Sequence, residues 1–283
     1  MYSDILLTVD FDRTMTAPDS TIPPRNLEAI KHFMANGGAF TVNTGRSIPM
    51  CVENLIPAVP VNAPLLLYNG SAAYDTSTNT LTRFAPIDID PTVIIPDLKA
   101  RFPELNVEIQ ALDAHYLTEK NPGFEKYCES NHCRWGYTTP DAVPQPFIKV
   151  SLYGEFRKPT VADMYNATEE ELALFERAIG YVEQTYGEKL DIFRACARII
   201  DLHKKGVSKL HSARLLQKEL GKKILICVGD AENDITMLDG ADYAFCPADG
   251  IVADRYPNVC PCAQGAIADV IYQKIPEILQ IKP

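Results

Sequence analysis

Several classes of protein are excluded by features that are scarce or absent in this sequence. Its 283 residues contain a single tryptophan and no apolar run long enough to span a bilayer. The first residues, Met-Tyr-Ser-Asp, carry no basic segment and lead directly into an apolar run, so we expect no signal peptide and a cytoplasmic protein. The chain also shows no internal repeat and no low-complexity tract.

Positive charge is scarce. The chain has 27 lysines and arginines against 37 acidic residues, which gives a net charge of -10. A diffuse acidic balance argues against a nucleic-acid partner and against binding to an anionic membrane surface. It does not exclude a small anionic substrate, because local hydrogen-bond donors and a metal can dominate one site.

The eight cysteines form no regular pattern. In a chain without an export signal they indicate reduced, partly buried thiols. Cys128, His132 and Cys133 could indicate zinc, as could Cys260 and Cys262. Neither set has a second matching pair at a usual ligand spacing, so the sequence favours plain thiols.

The most informative stretch lies near the amino terminus. Residues 5–9, Ile-Leu-Leu-Thr-Val, have the length and composition of a fully buried strand. Asp10 and Asp12 follow directly, and ligands of open parallel sheets bind beyond the strand ends. Two adjacent carboxylates repel each other unless a metal or a proton lies between them. Taken alone, the pair favours a solvated acidic turn, with a metal-assisted site as the alternative. In that site one carboxylate is the nucleophile and the other the acid/base. The rest of the chain reverses this preference.

The next segments alternate between helix and strand. A helix beginning near Pro23 and Pro24 is followed by a strand at residues 39–43, which predicts parallel strands joined by a crossover. Thr44-Gly45-Arg46-Ser47 then offers a hydroxyl, a glycine and a helix start, suited either to cradle a phosphate or to cap a helix. A third apolar strand, at residues 64–68, ends in Asn69-Gly70.

The pattern changes between residues 86 and 200. Scattered prolines, alternating segments and an amphipathic helix after Thr168 predict a separate α+β domain with an antiparallel sheet. We therefore predict an α/β protein with a Rossmann-like parallel-sheet core, residues 1–85 and 201–283, and an inserted α+β domain, residues 86–200. Both junctions should lie at the sheet edge that bears the motifs, where the inserted domain could close over the site.

The parallel pattern resumes in the last third of the chain. Lys209 opens a helix, and a buried strand at residues 223–228 ends in Gly-Asp-Ala-Glu-Asn-Asp, which contains Asp230, Asn233 and Asp234. We expect one more strand at residues 241–246 and helical segments at residues 248–255 and 267–278. A Gly-Asp-x-x-Asn-Asp motif after a buried strand is typical of a carboxylate metal site.

Taken in order, these four sets of polar residues resemble the motifs of the haloacid dehalogenase superfamily of phosphohydrolases. The resemblance is closest to the Cof-like branch, subclass IIB, in which an α+β cap is inserted between the second and third motifs. It covers essentially the whole chain. The resemblance implies a Mg²⁺-dependent phosphatase that acts on a small phosphorylated metabolite, such as a sugar phosphate or a phosphorylated cofactor.

The resemblance also implies a role for each residue. Asp10 is similar to the nucleophile that forms an aspartyl-phosphate, and Asp12 to the acid/base. Asp230 and Asp234 are similar to the Mg²⁺ ligands, joined by Asp10 and the Asp12 backbone carbonyl. Thr44, Lys209 and Asn233 are similar to residues that bind the phosphate, and Thr44 and Lys209 are also implied in catalysis. Their positions after predicted strands make Gly45 and Asn69 further candidates for phosphate or substrate binding. Arg46 is a candidate for either a substrate contact or a contact with the cap.

The sequence departs from the family at Arg13, where glycine is usual. The arginine points outward or adds a cation near the phosphate. The alternatives in function are a phosphomannomutase-like phosphoryl transferase and a non-catalytic protein that binds a phosphometabolite. A receiver domain, which also uses Asp, Thr and Lys, is disfavoured by chain length and by the insertion. We expect a monomer or a weak homodimer, with no nucleic-acid or membrane partner.

Overall fold

A computed structural model describes residues 1–155 and 166–280; residues 156–165 of the predicted inserted domain and residues 281–283 lie outside the described residues. The strands are β1 (Ile5–Val9), β2 (Ala39–Val42), β3 (Leu65–Leu67), β4 (Ala72–Asp75), β5 (Thr80–Phe84), β6 (Asn106–Ala111), β7 (His115–Leu117), β8 (Trp135–Tyr137), β9 (Phe147–Tyr153), β10 (Leu190–Cys196), β11 (Ile199–Lys204), β12 (Ile224–Val228), β13 (Tyr243–Pro247) and β14 (Asn258–Val259). The described α-helices are α1 (Pro24–Ala35), α2 (Ile48–Val52), α3 (Leu55–Ala58), α4 (Pro91–Arg101), α5 (Pro122–Ser130), α6 (Glu169–Tyr186), α7 (Lys209–Glu219), α8 (Ile235–Asp239), α9 (Ala266–Asp269) and α10 (Ile275–Ile278).

The chain divides into two compact units. The first comprises Met1–Gly45, Ile56–Arg83 and Ser208–Pro283, and the second comprises Arg46–Leu55 and Phe84–Val207. The boundaries predicted from the sequence lay at residues 85/86 and 200/201. The second unit extends to Val207 because β11 pairs with β9 and β10 and so completes a sheet of that unit.

The first unit is built on a five-stranded parallel sheet in the order β14-β13-β12-β1-β2. Strand β1 is buried throughout and lies between β12 and β2, as its continuous apolar run predicts. Strand β3 instead pairs antiparallel with β4 in a separate three-stranded sheet. An isolated parallel bridge between Asn43 and Leu66 follows the end of β2.

Two segments near the carboxyl terminus test the expected helices. Residues 266–278 are helical, with a π-helical turn between α9 and α10. The helix expected at residues 248–255 is wrong, since this segment forms turns. The Gly250 N–H donates a hydrogen bond to the Pro247 carbonyl. The Val252 N–H donates to the Asp230 carbonyl, which connects the segment to the loop after β12.

The second unit contains a six-stranded sheet in the order β10-β11-β9-β6-β7-β8. It is antiparallel except for the parallel pair of β7 and β8. One face packs against α4 and α6 through a continuous apolar cluster. Thr168 caps α6 in a capping box with Glu171, which agrees with the helix expected after that residue. None of the described helices has the length and apolarity needed to cross a membrane.

The opposite face of this sheet carries buried polar side chains, because side chains alternate along a strand. Lys149 Nζ lies 3.1 Å from Asp201 Oδ2, and Ser151 Oγ donates to Asp201 Oδ1 at 2.7 Å. His203, two residues further along β11, is fully buried. Burying such groups is costly unless each has a partner, so this face depends on its hydrogen bonds and ion pairs.

His203 should make the second unit sensitive to acid. Burial lowers its pKa from 6.5 to about 3, against the opposing charge of Asp201. As the pH falls through this window, the unfolded chain binds a proton that the folded chain does not, so stability is lost. We expect His203→Gln to remove up to about 1.4 kcal/mol of pH dependence per pH unit.

This dependence is measured by urea unfolding at several pH values between about 6.5 and 4. The fluorescence of the single tryptophan, Trp135, monitors unfolding of the second unit. The exposed His132 of the second unit provides the matched control His132→Asn, since asparagine suits its left-handed backbone. An unchanged pH dependence in His203→Gln would show that His203 is not the titrating group.

Candidate active site

The register of the parallel sheet brings three loops to one edge. Val9 pairs with Val228 on one side and with Val42 on the other. The residues that follow, Asp10, Gly229-Asp230 and Asn43-Thr44, therefore leave the sheet at the same edge. The Asp10 N–H donates to the Val228 carbonyl at 2.8 Å, and the Asn43 N–H donates to the Val9 carbonyl at 2.8 Å. This is the position where open parallel sheets bind their ligands.

Lys209 provides the cation at this edge. It is the first residue of α7, whose N-cap Ser208 accepts a hydrogen bond from the His211 N–H. Its side chain is fully buried, and Nζ lies 2.6 Å from both Asp10 Oδ1 and Asp234 Oδ1. A buried ammonium group is tolerated only with such partners. Lys209 therefore joins the loop after β1 to the loop after β12.

The loop after β12 holds its two carboxylates by different hydrogen bonds. Asp230 Oδ1 accepts from the Thr14 hydroxyl at 2.8 Å. Asp234 Oδ2 accepts from the backbone N–H groups of Asp230 and Ala231, at 3.0 and 3.2 Å. A Cβ atom at Gly229 would lie 2.5 Å from the Asp234 carboxyl carbon, so only glycine allows this close approach.

The site contains more negative than positive charge. Burial raises the pKa of Asp10 well above its usual range, against the opposing charge of Lys209. Burial and the neighbouring Asp234 raise the pKa of Asp230 to about 7. Burial would lower the pKa of Lys209, but the charges of Asp10 and Asp234 outweigh it and raise that pKa. One lysine does not neutralise three carboxylates, so a further cation would stabilise their ionised forms.

The same carboxylates fit a metal ion. Oxygen atoms of Asp10, Asp230 and Asp234 lie within 4.8 Å of one another, and all three residues are buried. Asp230 Oδ2 is buried and accepts no hydrogen bond from the described residues. An oxygen in that situation gains most from a cation, and carboxylate oxygens are ligands that Mg²⁺ prefers. The residues present therefore fit a divalent cation with hard ligands.

The other predicted residues lie on the neighbouring loops. Thr44 is buried, and its carbonyl accepts from the Asn69 N–H at 3.0 Å. A Cβ atom at Gly45 would lie 2.9 Å from Asn69 Oδ1, so this glycine also permits a close approach. Asp12 is half-buried, and its charge contributes to the raised pKa of Asp10. Asn233 is half-buried in the short 3₁₀ helix Glu232–Asp234.

The structure thus brings Asp10, Lys209, Asp230 and Asp234 into one cluster and places Thr44, Gly45 and Asn69 next to each other. Arg46 belongs to the second unit. The catalytic, phosphate-binding and metal-binding roles of all these residues stay predictions.

Two residues of the cluster were not assigned a role from the sequence. Thr14 donates to Asp230, and Asn43 Nδ2 donates to the Lys209 carbonyl at 2.9 Å. Asn43 therefore fixes the start of α7 relative to β2. A polar residue directly after a buried strand was the available signal for Asn43. For Thr14, a hydroxyl two residues after Asp12 was the only signal.

The structure explains why glycine is usual at the position of Arg13. This residue has a φ of 61°, in the left-handed region where glycine is favoured. A side chain there costs roughly 1–2 kcal/mol. Arg13 lies close enough to Asp230 for its charge to lower the pKa of that carboxyl, although burial dominates. The arginine therefore supplies positive charge to the loop at the expense of backbone strain.

Removal of the Lys209 charge should destabilise the first unit. Lys209→Met leaves Asp10 and Asp234 buried without their cation, which we expect to lower the free energy of unfolding by about 3–5 kcal/mol near neutral pH. The loss should shrink in acid, where the carboxyl groups are protonated. Denaturant unfolding followed by far-ultraviolet circular dichroism measures it. Lys218→Met, at an exposed position of the same helix, is the matched control, and equal stability of the two variants would contradict the expectation.

Comparison with known proteins places this arrangement in a family. A family model for haloacid dehalogenase-like hydrolases matches residues 7–253. The chain is 22% identical over 262 residues to 5-amino-6-(5-phospho-D-ribitylamino)uracil phosphatase YitU of Bacillus subtilis, covering 88% of each chain. It is 23% identical over 265 residues to pyridoxal phosphate phosphatase YbhA of Escherichia coli, covering 88% of this chain and 90% of that protein.

Solved structures agree at the level of the fold. A haloacid dehalogenase-like hydrolase from Bacillus subtilis superposes with a TM-score of 0.77 at 16% identity, covering 95% of this chain and 99% of that one. The subclass IIB sugar phosphatase BT4131 superposes with a TM-score of 0.74 at 17% identity, covering 98% and 99%. The predicted α/β fold with a parallel-sheet core is confirmed. The chain belongs to the haloacid dehalogenase-like hydrolases, as its motifs predicted, and is a phosphohydrolase of that family.

Proposed function

We propose that this protein is a Mg²⁺-dependent phosphatase that hydrolyses a small phosphomonoester through an aspartyl-phosphate on Asp10. One observation carries the proposal. The Asp10 carboxylate is held by Lys209 at 2.6 Å, beside Asp230, whose Oδ2 is buried and accepts no hydrogen bond from the described residues. A positioned carboxylate with a cation and a site for a second cation suits attack on an anionic phosphate.

The proposed reaction has two steps. An Asp10 oxygen attacks phosphorus, the bond from phosphorus to the leaving oxygen breaks, and Asp12 donates a proton to that oxygen. Asp12 then takes a proton from water, and the water oxygen attacks the phosphorus of the aspartyl-phosphate. Inorganic phosphate leaves, and the Asp10 carboxylate is regenerated. Asp12 is half-buried, so its environment is more polar than that of Asp10.

The surrounding residues would act on charge and orientation. Lys209 and Thr44 would stabilise the negative charge on the phosphoryl oxygens, with Asn233 supporting the pocket. Asp10, Asp230, Asp234 and the Asp12 carbonyl would hold Mg²⁺, which when bound supplies the charge neutralisation that lets two anions approach. Thr14 would keep one Asp230 oxygen directed away from the cation, because it occupies Oδ1.

The substrate class rests on the relatives and on the second unit. The names of the curated relatives specify pyridoxal phosphate and 5-amino-6-(5-phospho-D-ribitylamino)uracil, and a structural neighbour is a sugar phosphatase. These names support a sugar phosphate or a phosphorylated cofactor as substrate. We propose that residues 86–200 act as the cap that sets the preference among them, with a contribution from Arg46. Binding sites, rather than folds, decide such preferences.

The proposed nucleophile can be tested by one substitution. We expect Asp10→Asn to lower phosphatase turnover by roughly 10³-fold or more, since an amide cannot form the acyl phosphate. The assay measures phosphate release from an aryl phosphate and from a panel of sugar phosphates and phosphorylated cofactors. Asp254→Asn, at an exposed position of the first unit, is the control for the loss of one charge. Activity of Asp10→Asn within tenfold of the parent protein, without deamidation, would exclude the mechanism.

The metal requirement is tested separately. We expect chelation to abolish turnover and added Mg²⁺ to restore it, because the carboxylates repel the substrate without a cation. Asp230→Asn should raise the Mg²⁺ concentration needed for half-maximal activity by at least roughly tenfold, whereas Asp254→Asn should not. Full turnover after exhaustive chelation would refute the metal role.

A further inference from the structure

The second unit contains a group of side chains that the proposed phosphatase mechanism does not use. Helix α5 ends in a Schellman motif, in which the Cys133 N–H donates to the Cys128 carbonyl at 2.8 Å and the His132 N–H donates to the Glu129 carbonyl at 3.1 Å. His132 takes the left-handed conformation, with a φ of 53°. In this motif the side chains at the positions of Cys128 and Cys133 contact each other. Both thiols are buried.

A histidine from another element reaches the same group. His115 is the first residue of β7 and is 1% exposed. Its Nδ1 contacts the buried carboxylate of Glu108 on β6, and its Nε2 lies 2.7 Å from the hydroxyl oxygen of Ser47. A buried imidazole with a carboxylate partner is common where a metal is bound, because the carboxylate fixes the orientation of the ring. Two thiols that only end a helix would need neither the imidazole of His115 nor the carboxylate of Glu108 beside them.

The distances suit a tetrahedral metal. The two sulfur atoms and an imidazole nitrogen of His115 all lie within 4.8 Å of one another. Bonds of about 2.3 Å to sulfur and about 2.0 Å to nitrogen put tetrahedral ligand atoms roughly 3.5–3.8 Å apart. Side-chain movements of about 1 Å would therefore close the group around an ion. Two thiolates and an imidazole are ligands typical of Zn²⁺.

We propose that Cys128, Cys133 and His115 bind one Zn²⁺ ion within the second unit. Glu108 would position the imidazole through Nδ1, and Nε2 would exchange its contact with Ser47 for the ion. The ion would connect the end of α5 to β7. Around it lies a small apolar cluster that includes Met50, Phe124 and Tyr153. In such a place a metal cross-link stabilises a local structure whose apolar core is small. The proposal is independent of the proposed phosphatase activity.

The three proposed ligands differ in how readily they lose a proton. A hydrogen bond from the Cys128 thiol and the proximity of His115 lower the pKa of Cys133 to about 6, although burial opposes this. Burial would lower the pKa of His115, but the Glu108 carboxylate outweighs it and raises that pKa to about 9. A hydrogen bond to Cys133 and burial raise the pKa of the Cys128 thiol. Metal ligands must lose their protons, so Cys133 needs little work to become a ligand, whereas Cys128 and His115 each release a proton on binding.

The structure also replaces one residue considered in the sequence. The cysteine spacing pointed to His132, which lies between Cys128 and Cys133. The His132 side chain is instead 56% exposed, and its Nδ1 lies 3.3 Å from Glu53 Oε2. The geometry selects His115, which precedes Cys128 by a long connection and shares no short motif with it. The two histidines therefore provide a matched pair of substitutions.

Cobalt is the probe that tests the site, because Co²⁺ takes the place of Zn²⁺ and gives a near-ultraviolet charge-transfer band only when sulfur is bound. The full-length protein, metal-free and reduced, is titrated with Co²⁺. We expect a thiolate-to-cobalt band that saturates at about one equivalent and is displaced by Zn²⁺. Co²⁺ bound by the carboxylates of the first unit does not give this band. Absence of the band in the parent protein would overturn the proposal without any variant.

Variants identify the ligands. Cys128→Ser, Cys133→Ser and His115→Asn should each weaken Co²⁺ binding by at least roughly tenfold. Cys196→Ser, at another buried cysteine of the second unit, and His132→Asn, where asparagine suits the left-handed backbone, should leave the band unchanged. An undiminished band in Cys128→Ser, or its loss in His132→Asn but not in His115→Asn, would contradict the assigned ligands.

Discussion

The electrostatic conflict among three buried carboxylates is the constraint on which the first unit depends. Asp10, Asp230 and Asp234 are each less than a tenth exposed, and such a group does not remain ionised without compensation. Lys209 supplies one charge, and backbone N–H groups and the Thr14 hydroxyl supply directed dipoles. The remaining imbalance is a property of the folded chain, and it makes the cluster complementary to a divalent cation, whose charge would let an anion approach the same place.

The register of the sheet determines where these charged residues meet. Strand β1 is apolar and buried along its whole length, so a slip against β12 or β2 would draw a flanking charge, Asp4 or Asp10, into the apolar interior of the sheet. Lys209, almost two hundred positions from Asp10 in the chain, reaches the same point because Asn43 holds the start of α7. The hydrophobic pattern of one strand thus determines where charged groups distant in sequence meet.

The sequence allowed good predictions wherever a local pattern had one dominant cause. The continuous apolar run of β1 and the apolar stripe of the helix after Thr168 both depend on short-range physics. The prediction of a helix at residues 248–255 failed although their composition permits one. The Val252 N–H donates to the Asp230 carbonyl, a contact that no local sequence pattern reveals. The second unit continues to Val207 because β11 pairs with β9 and β10, and the β9 partner is distant in the sequence. The sequence showed that an arginine is unusual at position 13. The reason, a left-handed backbone that favours glycine, is visible only in the structure.

The two clusters show how one chain can separate cations by ligand chemistry. The carboxylates of the first unit offer only hard oxygen atoms, whereas His115, Cys128 and Cys133 offer two sulfur atoms and a nitrogen. Intrinsic affinity does not make the first set selective, because Zn²⁺ binds oxygen ligands more tightly than Mg²⁺ does. Selectivity there depends on the abundance of Mg²⁺ and on the geometry that phosphate and water complete. The second set needs no such help, because thiolates favour Zn²⁺ strongly over Mg²⁺. A thiolate site takes up only one Zn²⁺ ion per chain, so it does not protect the carboxylates from Zn²⁺. Discrimination at the first unit therefore depends on the abundance of Mg²⁺ and on coordination geometry.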